Sequence, residues 1–246
     1  MLNTDSVTSI KIDDGTIVNA DINDSAAIAK TKLAALEIVN ADVNASAAIA
    51  GSKISPTFNT DGSFNSVNIG KGANSVSGNT ALGVNTLIDA VTGADNTAIG
   101  NGTLRLNTSG RRNTAVGSAA VDANTTGEYN TGIGYGTIST NTTGSSNTAV
   151  GANALDANTT GTAASAFGKD ALGAHTTGDK NSAFGTNAAA ATTTGIKNSA
   201  FGAYALAYNT TGGNNTALGR SALNVATTAS NNTAVGDGSL GANTTA

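Results

Sequence analysis

The chain has 246 residues, of which 31 are glycine and only nine are aromatic (five Phe and four Tyr), and its formal net charge is −4. So few bulky side chains cannot fill the interior of a compact globule at protein packing density, so any core must be thin. Only 11% of the residues are charged and one is proline, unlike a typical disordered segment, and the absence of Cys excludes disulfides and thiolate metal sites.

The first 64 residues contain a duplication, because the segment 17–33 recurs as 38–54. Each copy is predicted to form a short strand, a polar turn and a brief alanine-rich helix, with Ser25 and Ser46 suited to cap the two helices. Helices this short are not stable alone. The region 1–64 is therefore expected to intertwine with partner chains.

Two kinds of repeat follow. The segment 65–78, NSVNIGKGANSVSG, is predicted to form a short lead-in coil. From residue 79 to residue 246 the chain consists of ten units of 17 residues, the last one two residues short. The units begin at Asn79, Asn96, Asn113, Asn130, Asn147, Ala164, Asn181, Asn198, Asn215 and Asn232.

The pattern inside the unit predicts its fold. With the first residue numbered 0, position 4 is Gly in all ten units and position 14 is Gly in eight, which indicates two tight corners. Position 3 is always bulky and apolar, position 8 is apolar, and position 2 is Ala nine times. A unit this short predicts two strand-like stretches of roughly 4–5 residues and an all-β, short-period parallel β-solenoid.

The columns of this solenoid can be assigned to its interior and exterior. Positions 3 and 8 are expected to face each other inside, with Phe167, Phe184 and Phe201 stacked as an internal ladder and Phe184 compensating for the small Ala189. Because strand residues alternate faces, the Ala column at position 2 points the other way, towards a subunit interface or a flattened interior. Asn at position 0 and Thr or Ser at positions 12 and 13 are expected to stack as polar ladders.

No residue pattern indicates catalysis, a cofactor or a metal, and the chain is predicted not to be an enzyme. The single histidine, His175, occupies position 11, where six units carry Asn, so it is interpreted as a ladder substitution. The segment 21–25 begins like a Ca²⁺ loop but lacks the Gly and Glu that such a loop requires. Acidic residues such as Asp122 and Asp156 form no consistent pair beside a pocket-forming aromatic.

The repeats resemble two related groups of proteins. The segment 65–78 resembles the head repeat of trimeric autotransporter adhesins. The unit NTAVGANALDANTTG at 147–161 is similar to repeats of bacteriophage tail-fibre proteins, as is the DGTIVNADIN segment that begins at Asp14. The resemblance implies a left-handed β-roll assembled as a homotrimer in a virion tail fibre, where it serves as a shaft or spacer and in host attachment.

The resemblance also implies partners: other copies of the chain, other tail or baseplate proteins, and a glycan or protein of the host surface. Neither nucleic-acid binding nor membrane insertion is predicted, since the basic residues form no long run and no apolar run approaches the length of a membrane span. The final unit carries the ordinary Val235 and Leu240 rather than a polar cap, so a continuation past Ala246 or a docked protein is expected.

The candidates for receptor contact are exposed corners. All charged and tyrosine residues of the ten units occupy positions 5, 6, 9, 10, 15 or 16. Tyr and Arg are favoured in recognition surfaces. The best candidates are Arg111, Arg112, Tyr129, Tyr135, Tyr204 and Tyr208.

Two other functions remain open. The first is the head of a bacterial trimeric autotransporter adhesin, although the signal peptide and C-terminal membrane anchor usual in such proteins are not recognisable here. The second, more distant, is an ice-binding solenoid, which would need its threonines in one flat exposed row. Here the adjacent threonines are expected to point opposite ways among enclosed positions.

Overall fold

A computed structural model of the chain describes residues 62–64, 67–89 and 91–244. Twelve short strands and a single 3₁₀ turn at Ala73–Ser75 make up its regular structure. The strands are β1 (Gly62–Phe64), β2 (Val67–Gly70), β3 (Thr80–Gly83), β4 (Thr97–Ile99), β5 (Thr114–Val116), β6 (Thr131–Ile133), β7 (Thr148–Val150), β8 (Ser165–Phe167), β9 (Ser182–Phe184), β10 (Ser199–Phe201), β11 (Thr216–Leu218) and β12 (Thr233–Val235).

The strands form one sheet in chain order, and from β3 to β12 each strand pairs in parallel with the next. The register advances by one 17-residue unit, as in the pairing of Ser182 with Ser199. The predicted parallel β-solenoid is therefore confirmed, and we number its coils 1 to 10 from Asn79. Among the described residues each coil has one strand rather than the predicted two. The other side consists of turns that bond to the next coil, for example Leu155 N–H to the Ala171 oxygen at 3.0 Å.

The start of the sheet differs from the prediction. Strand β2 pairs antiparallel with β3, and β1 pairs antiparallel with β2. The described part of the predicted lead-in coil, residues 67–78, is therefore not a shorter coil of the same kind, because Asn74 and Ser75 adopt left-handed backbone angles in the 3₁₀ turn and β2 runs antiparallel to β3. The duplicated segments 17–33 and 38–54, with their predicted strands and helices, lie outside the described residues.

The interior of the solenoid is lined by positions 2 and 8. The Ala residues at position 2 are at most 3% exposed, and the position-8 side chains from Leu87 to Leu223 are at most 1% exposed. The two columns face each other, because a Cβ placed on Gly132 would lie 2.7 Å from Cγ2 of Val121. The Ala column thus lines a flattened interior, the second of the two predicted alternatives.

Position 3 points outward, so the predicted internal pairing of positions 3 and 8 is wrong. In a strand of three residues, positions 1 and 3 share one face and position 2 has the other, and the Ala face is the one that turns inward. The rings of Phe167, Phe184 and Phe201 do stack, with centroids 4.7 and 4.8 Å apart, but on the outer surface. Phe184 therefore cannot compensate for the small Ala189.

The predicted ladders are confirmed for Asn and for Thr at position 12, whereas at position 13, among the described residues, only the Thr92 hydroxyl donates to the next coil. At position 0, the Asn96 Oδ1 atom accepts the backbone N–H of Asn113 at 3.0 Å, and the Asn113 amide donates to the Gly127 oxygen at 2.9 Å. At position 11, the Asn124 amide bonds both Asn107 Oδ1 and the same Gly127 oxygen, each at 2.9 Å. The two Asn columns of a coil therefore share one carbonyl acceptor, which makes them neighbours inside the solenoid. At position 12, the Thr hydroxyls donate to the next coil, as Thr125 does at 2.9 Å.

Replacing Gly185 at position 4 by Ala is expected to lower the free energy of unfolding by more than about 2 kcal/mol per chain. Its φ is +140°, and a Cβ there would lie 2.6 Å from the carbonyl carbon of Gly202 in the next coil. Gly238 is the matched control, since its φ is +65° and a Cβ would meet no heavy atom within 4 Å. Urea unfolding measures both variants, and equal losses would show that contact with the next coil is not what requires glycine.

Candidate functional site

The outer face of the sheet carries a continuous column of bulky apolar side chains at position 3, which we call the apolar file. With ten members one strand spacing apart it extends about 43 Å. Its members are partly or largely exposed, reaching 49% for Leu218 and 65% for Val235. The file comprises Leu82, Ile99, Val116, Ile133, Val150, Phe167, Phe184, Phe201, Leu218 and Val235.

The apolar file inverts the usual distribution of side-chain size. The interior holds Ala opposite one larger residue, whereas the strand residues with the largest apolar surface face outward. Single exposed apolar side chains are ordinary, but a contiguous apolar patch of this length marks an interaction surface. Thr or Ser at position 1 shares the same face, and no charged residue occupies either position. Position 3 was recognised from the sequence as bulky but was assigned to the wrong side of the sheet.

Three of the predicted contact residues cluster on neighbouring coils. Arg111 pairs with Glu128 at 3.3 Å, and Arg112 lies 4.0 Å from Asp95. The Arg112 guanidinium also lies over the Tyr129 ring, 5.3 Å from its centroid, and donates a hydrogen bond to the Tyr129 hydroxyl. These side chains are therefore engaged with one another along the stack, at exposed sites where each ion pair contributes little to stability.

The other three contact candidates are exposed tyrosines. Tyr135 is 65% exposed. Tyr204 and Tyr208 stand on the same coil, 47% and 57% exposed, and both line one depression of the surface. The structure thus divides the six predicted residues into an Arg–Tyr cluster, an isolated tyrosine and a tyrosine pair.

His175 is fully buried and belongs to the Asn ladder, as predicted. Its Nδ1 lies 3.0 Å from Asn158 Oδ1 and its Nε2 lies 3.2 Å from Asn181 Nδ2. The neutral ring with the proton on Nδ1 satisfies both contacts, since it donates to the Asn158 oxygen and accepts from the Asn181 amide. Burial lowers the pKa of His175 to about 4, against the raising effects of a backbone hydrogen bond at Gly178 and of the nearby Asp179 charge.

A second exposed column consists of hydroxyls. The Thr and Ser side chains at position 13 are exposed from Thr92 to Thr228, while the neighbouring position-12 threonines are partly buried or exposed. The expectation that these threonines lie among enclosed positions is therefore wrong for position 13. Freezing hysteresis of the purified protein would test the ice-binding alternative directly.

Within the described ranges, no group of three or more His, Cys, Asp or Glu side chains is placed to hold a metal ion. Over the same residues, the structure contains no helix of the length and hydrophobicity needed to cross a membrane. No protein-family model, curated protein or solved structure matches the chain.

Proposed function

We propose that this chain is a structural fibre segment whose copies associate through the apolar file. The observation that carries the proposal is the outward position of ten bulky side chains on strands whose inward-facing residue is alanine in nine coils and glycine in one. Covering the remaining exposed part of each side chain contributes about 1 kcal/mol, and hence about 10 kcal/mol per copy before the entropic cost of association. This replaces the Ala column as the proposed contact surface.

The proposed assembly is a parallel homotrimer. The number three and the left-handed winding come from the resemblance to trimeric adhesin heads. Three thin solenoids arranged around one axis bring their three apolar files together at the centre. A parallel, in-register arrangement also places like residues at the same level, so that the three consecutive Phe coils of each copy meet one another.

The resemblance of the 17-residue unit supports a bacteriophage tail as the place of this fibre, where we propose that it acts as a shaft or spacer and presents its corners to the host surface. An adhesin head would form the same trimer, but on the surface of a bacterium rather than on a phage tail. Tail and baseplate genes beside the gene for this chain would support the phage setting, whereas an adjoining export and outer-membrane anchor system would support the adhesin.

Light scattering on the natively assembled protein is expected to give about three times the chain mass of 23.8 kDa. The mass should not change on dilution through the micromolar range, because the apolar file buries a long continuous surface. A mass of one chain at high protein concentration would overturn the proposed assembly, and a mass of two chains would overturn the trimer.

A further inference from the structure

A half-open depression of about 360 Å³ lies between coils 7 and 8. This volume falls within the range of small-molecule pockets, about 300–1,000 Å³. Its lining contains no charged residue and no member of the apolar file. The lining residues are Asn187, Ala190, Ala191, Tyr204, Ala207 and Tyr208.

The depression arises from small residues at position 9. Three consecutive coils have Gly173, Ala190 and Ala207 there, whereas other coils carry charged residues such as Arg105 and Asp156. The floor is therefore made of backbone and methyl groups. Coils 1 to 5 and coil 9 have long or polar side chains at this point, so the run of small residues in coils 6 to 8 is a local feature of the repeat.

Two of the lining residues are tyrosines at positions 6 and 10 of coil 8, before and after Ala207 in the sequence. Their backbone is fixed by the solenoid, since Tyr204 N–H donates to the Thr186 oxygen and Tyr208 N–H to the Asn224 oxygen, each at 3.0 Å. Among the described residues neither hydroxyl has a hydrogen-bond partner, whereas the Tyr129 hydroxyl accepts from Arg112. The site thus offers two aromatic faces and two uncommitted hydroxyls on a rigid support.

We propose that this depression binds one ring of a neutral sugar, such as a terminal hexose of a surface glycan. A pyranose ring presents a face of C–H groups, which packs on the tyrosine rings and the alanine methyls. Its hydroxyls exchange hydrogen bonds with the tyrosine hydroxyls and with the Asn187 amide. An acidic sugar is disfavoured because no cationic side chain lines the site.

The proposed site complements the proposed fibre function by giving attachment a specific location and ligand class, and it rests on that function only for its biological setting. A shallow site for one ring binds with a Kd in the millimolar range. Each copy of the chain carries one site, so an assembly gains avidity on a surface that presents many glycan ends. Sugar binding itself needs only one folded chain.

Saturation-transfer NMR with free glucose, galactose, mannose and N-acetylglucosamine, and with galacturonate as an anionic probe, tests the site. At least one neutral sugar is expected to receive saturation and galacturonate none. Ala190→Arg fills the floor and should weaken binding at least tenfold, as should Tyr208→Ala. Arg105 occupies position 9 of coil 2, so the solenoid accommodates an arginine there.

Ser146→Arg is the matched control. It adds the same charge at position 16, where coil 2 has Arg112, and it should leave the sugar signal unchanged. The proposal is overturned if none of the neutral sugars binds, if galacturonate binds equally well, or if Ala190→Arg binds as the control does. Because the signal is measured per chain, these outcomes are independent of the mass that tests the trimer.

Discussion

Replacing Phe184 by Asp is expected to dissociate the assembly into single chains without unfolding the solenoid. Phe184 is the middle ring of the outward stack, with neighbouring rings 4.7 and 4.8 Å away. In a parallel trimer the substitution places three carboxylates at one level of a dry interface, and each must lose its water without gaining a partner. The cost of several kcal/mol per charge, added to the entropic cost of association, exceeds the free energy of about 9 kcal/mol per copy that burial of the other nine side chains contributes.

Thr186→Asp is the control for this experiment. It adds the same charge to the same coil at position 5, an exposed corner where coil 10 has Asp237. Light scattering should give a single-chain mass for Phe184→Asp and the full assembly mass for Thr186→Asp, with the same circular dichroism for both. If Phe184→Asp kept the assembly mass, the apolar file would not be the contact surface.

The sequence was sufficient to predict the periodic features of the fold. Repetition at 17 residues required a stack of like coils, and the nearly invariant Asn at position 0 required a ladder, because a buried amide must bond its neighbours above and below. The confinement of charge to six positions separated corners from scaffold, as the ion pair between Arg220 and Asp237 in successive coils at 2.9 Å illustrates. The repeat therefore predicted correctly which residues stack on one another in successive coils.

The direction of the columns could not be predicted in the same way. A strand reading Thr, Ala, bulky alternates equally well with either face inward, and size alone favoured the wrong one. The turns decide the outcome, because residues at positions 6, 8 and 16 adopt positive φ, as Asn153, Leu155 and Ala163 do. Of these three residue types, only Asn is known to favour left-handed backbone angles. The turn places the position-8 side chain against Ala and leaves no room for a second bulky column.

The candidate site was predicted only as a class of residues. The repeat predicted that Tyr204 and Tyr208 lie at exposed corners. The depression that they line depends on the small residues at position 9, which the repeat did not single out. Small residues such as Ala190 and Ala207 are common throughout this chain and carry no functional signal in the sequence. Only the stacking of the coils shows that they line one depression together with two tyrosines.

The stability of the protein is expected to fall by about 3 kcal/mol per chain between pH 6.5 and pH 4, because of His175. Burial holds the pKa of His175 at about 4 in the folded state, below its ordinary value of 6.5. In this interval the unfolded chain binds a proton that the folded chain excludes, so acidification favours unfolding. The contribution of His175 to the free energy of unfolding is retained above about pH 6.5, and its loss levels off below about pH 4.

The chain contains one histidine, so no other imidazole titrates between pH 4 and pH 6.5. The exposed carboxylate of Asp179 near His175 titrates lower, because a hydrogen bond from the backbone N–H of Thr162 lowers its pKa. Its contribution is lost only as the pH falls below about 3.8, the ordinary value for Asp. Urea unfolding at fixed protein concentration, from pH 4.5 to pH 7.5, measures the slope.

The substitution His175→Asn is expected to remove that slope, because six other coils carry Asn at position 11 and the amide does not titrate. At pH 7.5 the single variant should lose about 1 kcal/mol, since the Asn181 amide loses its contact with the ring. Ala164, in the same coil as His175, is where the position-0 Asn ladder is interrupted. The longer ring of His175 reaches Asn181 across that interruption.

The double variant Ala164→Asn with His175→Asn should therefore recover the loss, because it restores the Asn pair found in neighbouring coils. Ala164→Asn alone should destabilise the chain, since the added amide competes with the imidazole for the space between adjacent Asn layers. The coupling between the two positions is measurable as a double-mutant cycle at pH 7.5. Additive effects, or a pH slope that persists in His175→Asn, would show that the buried imidazole does not complete the ladder.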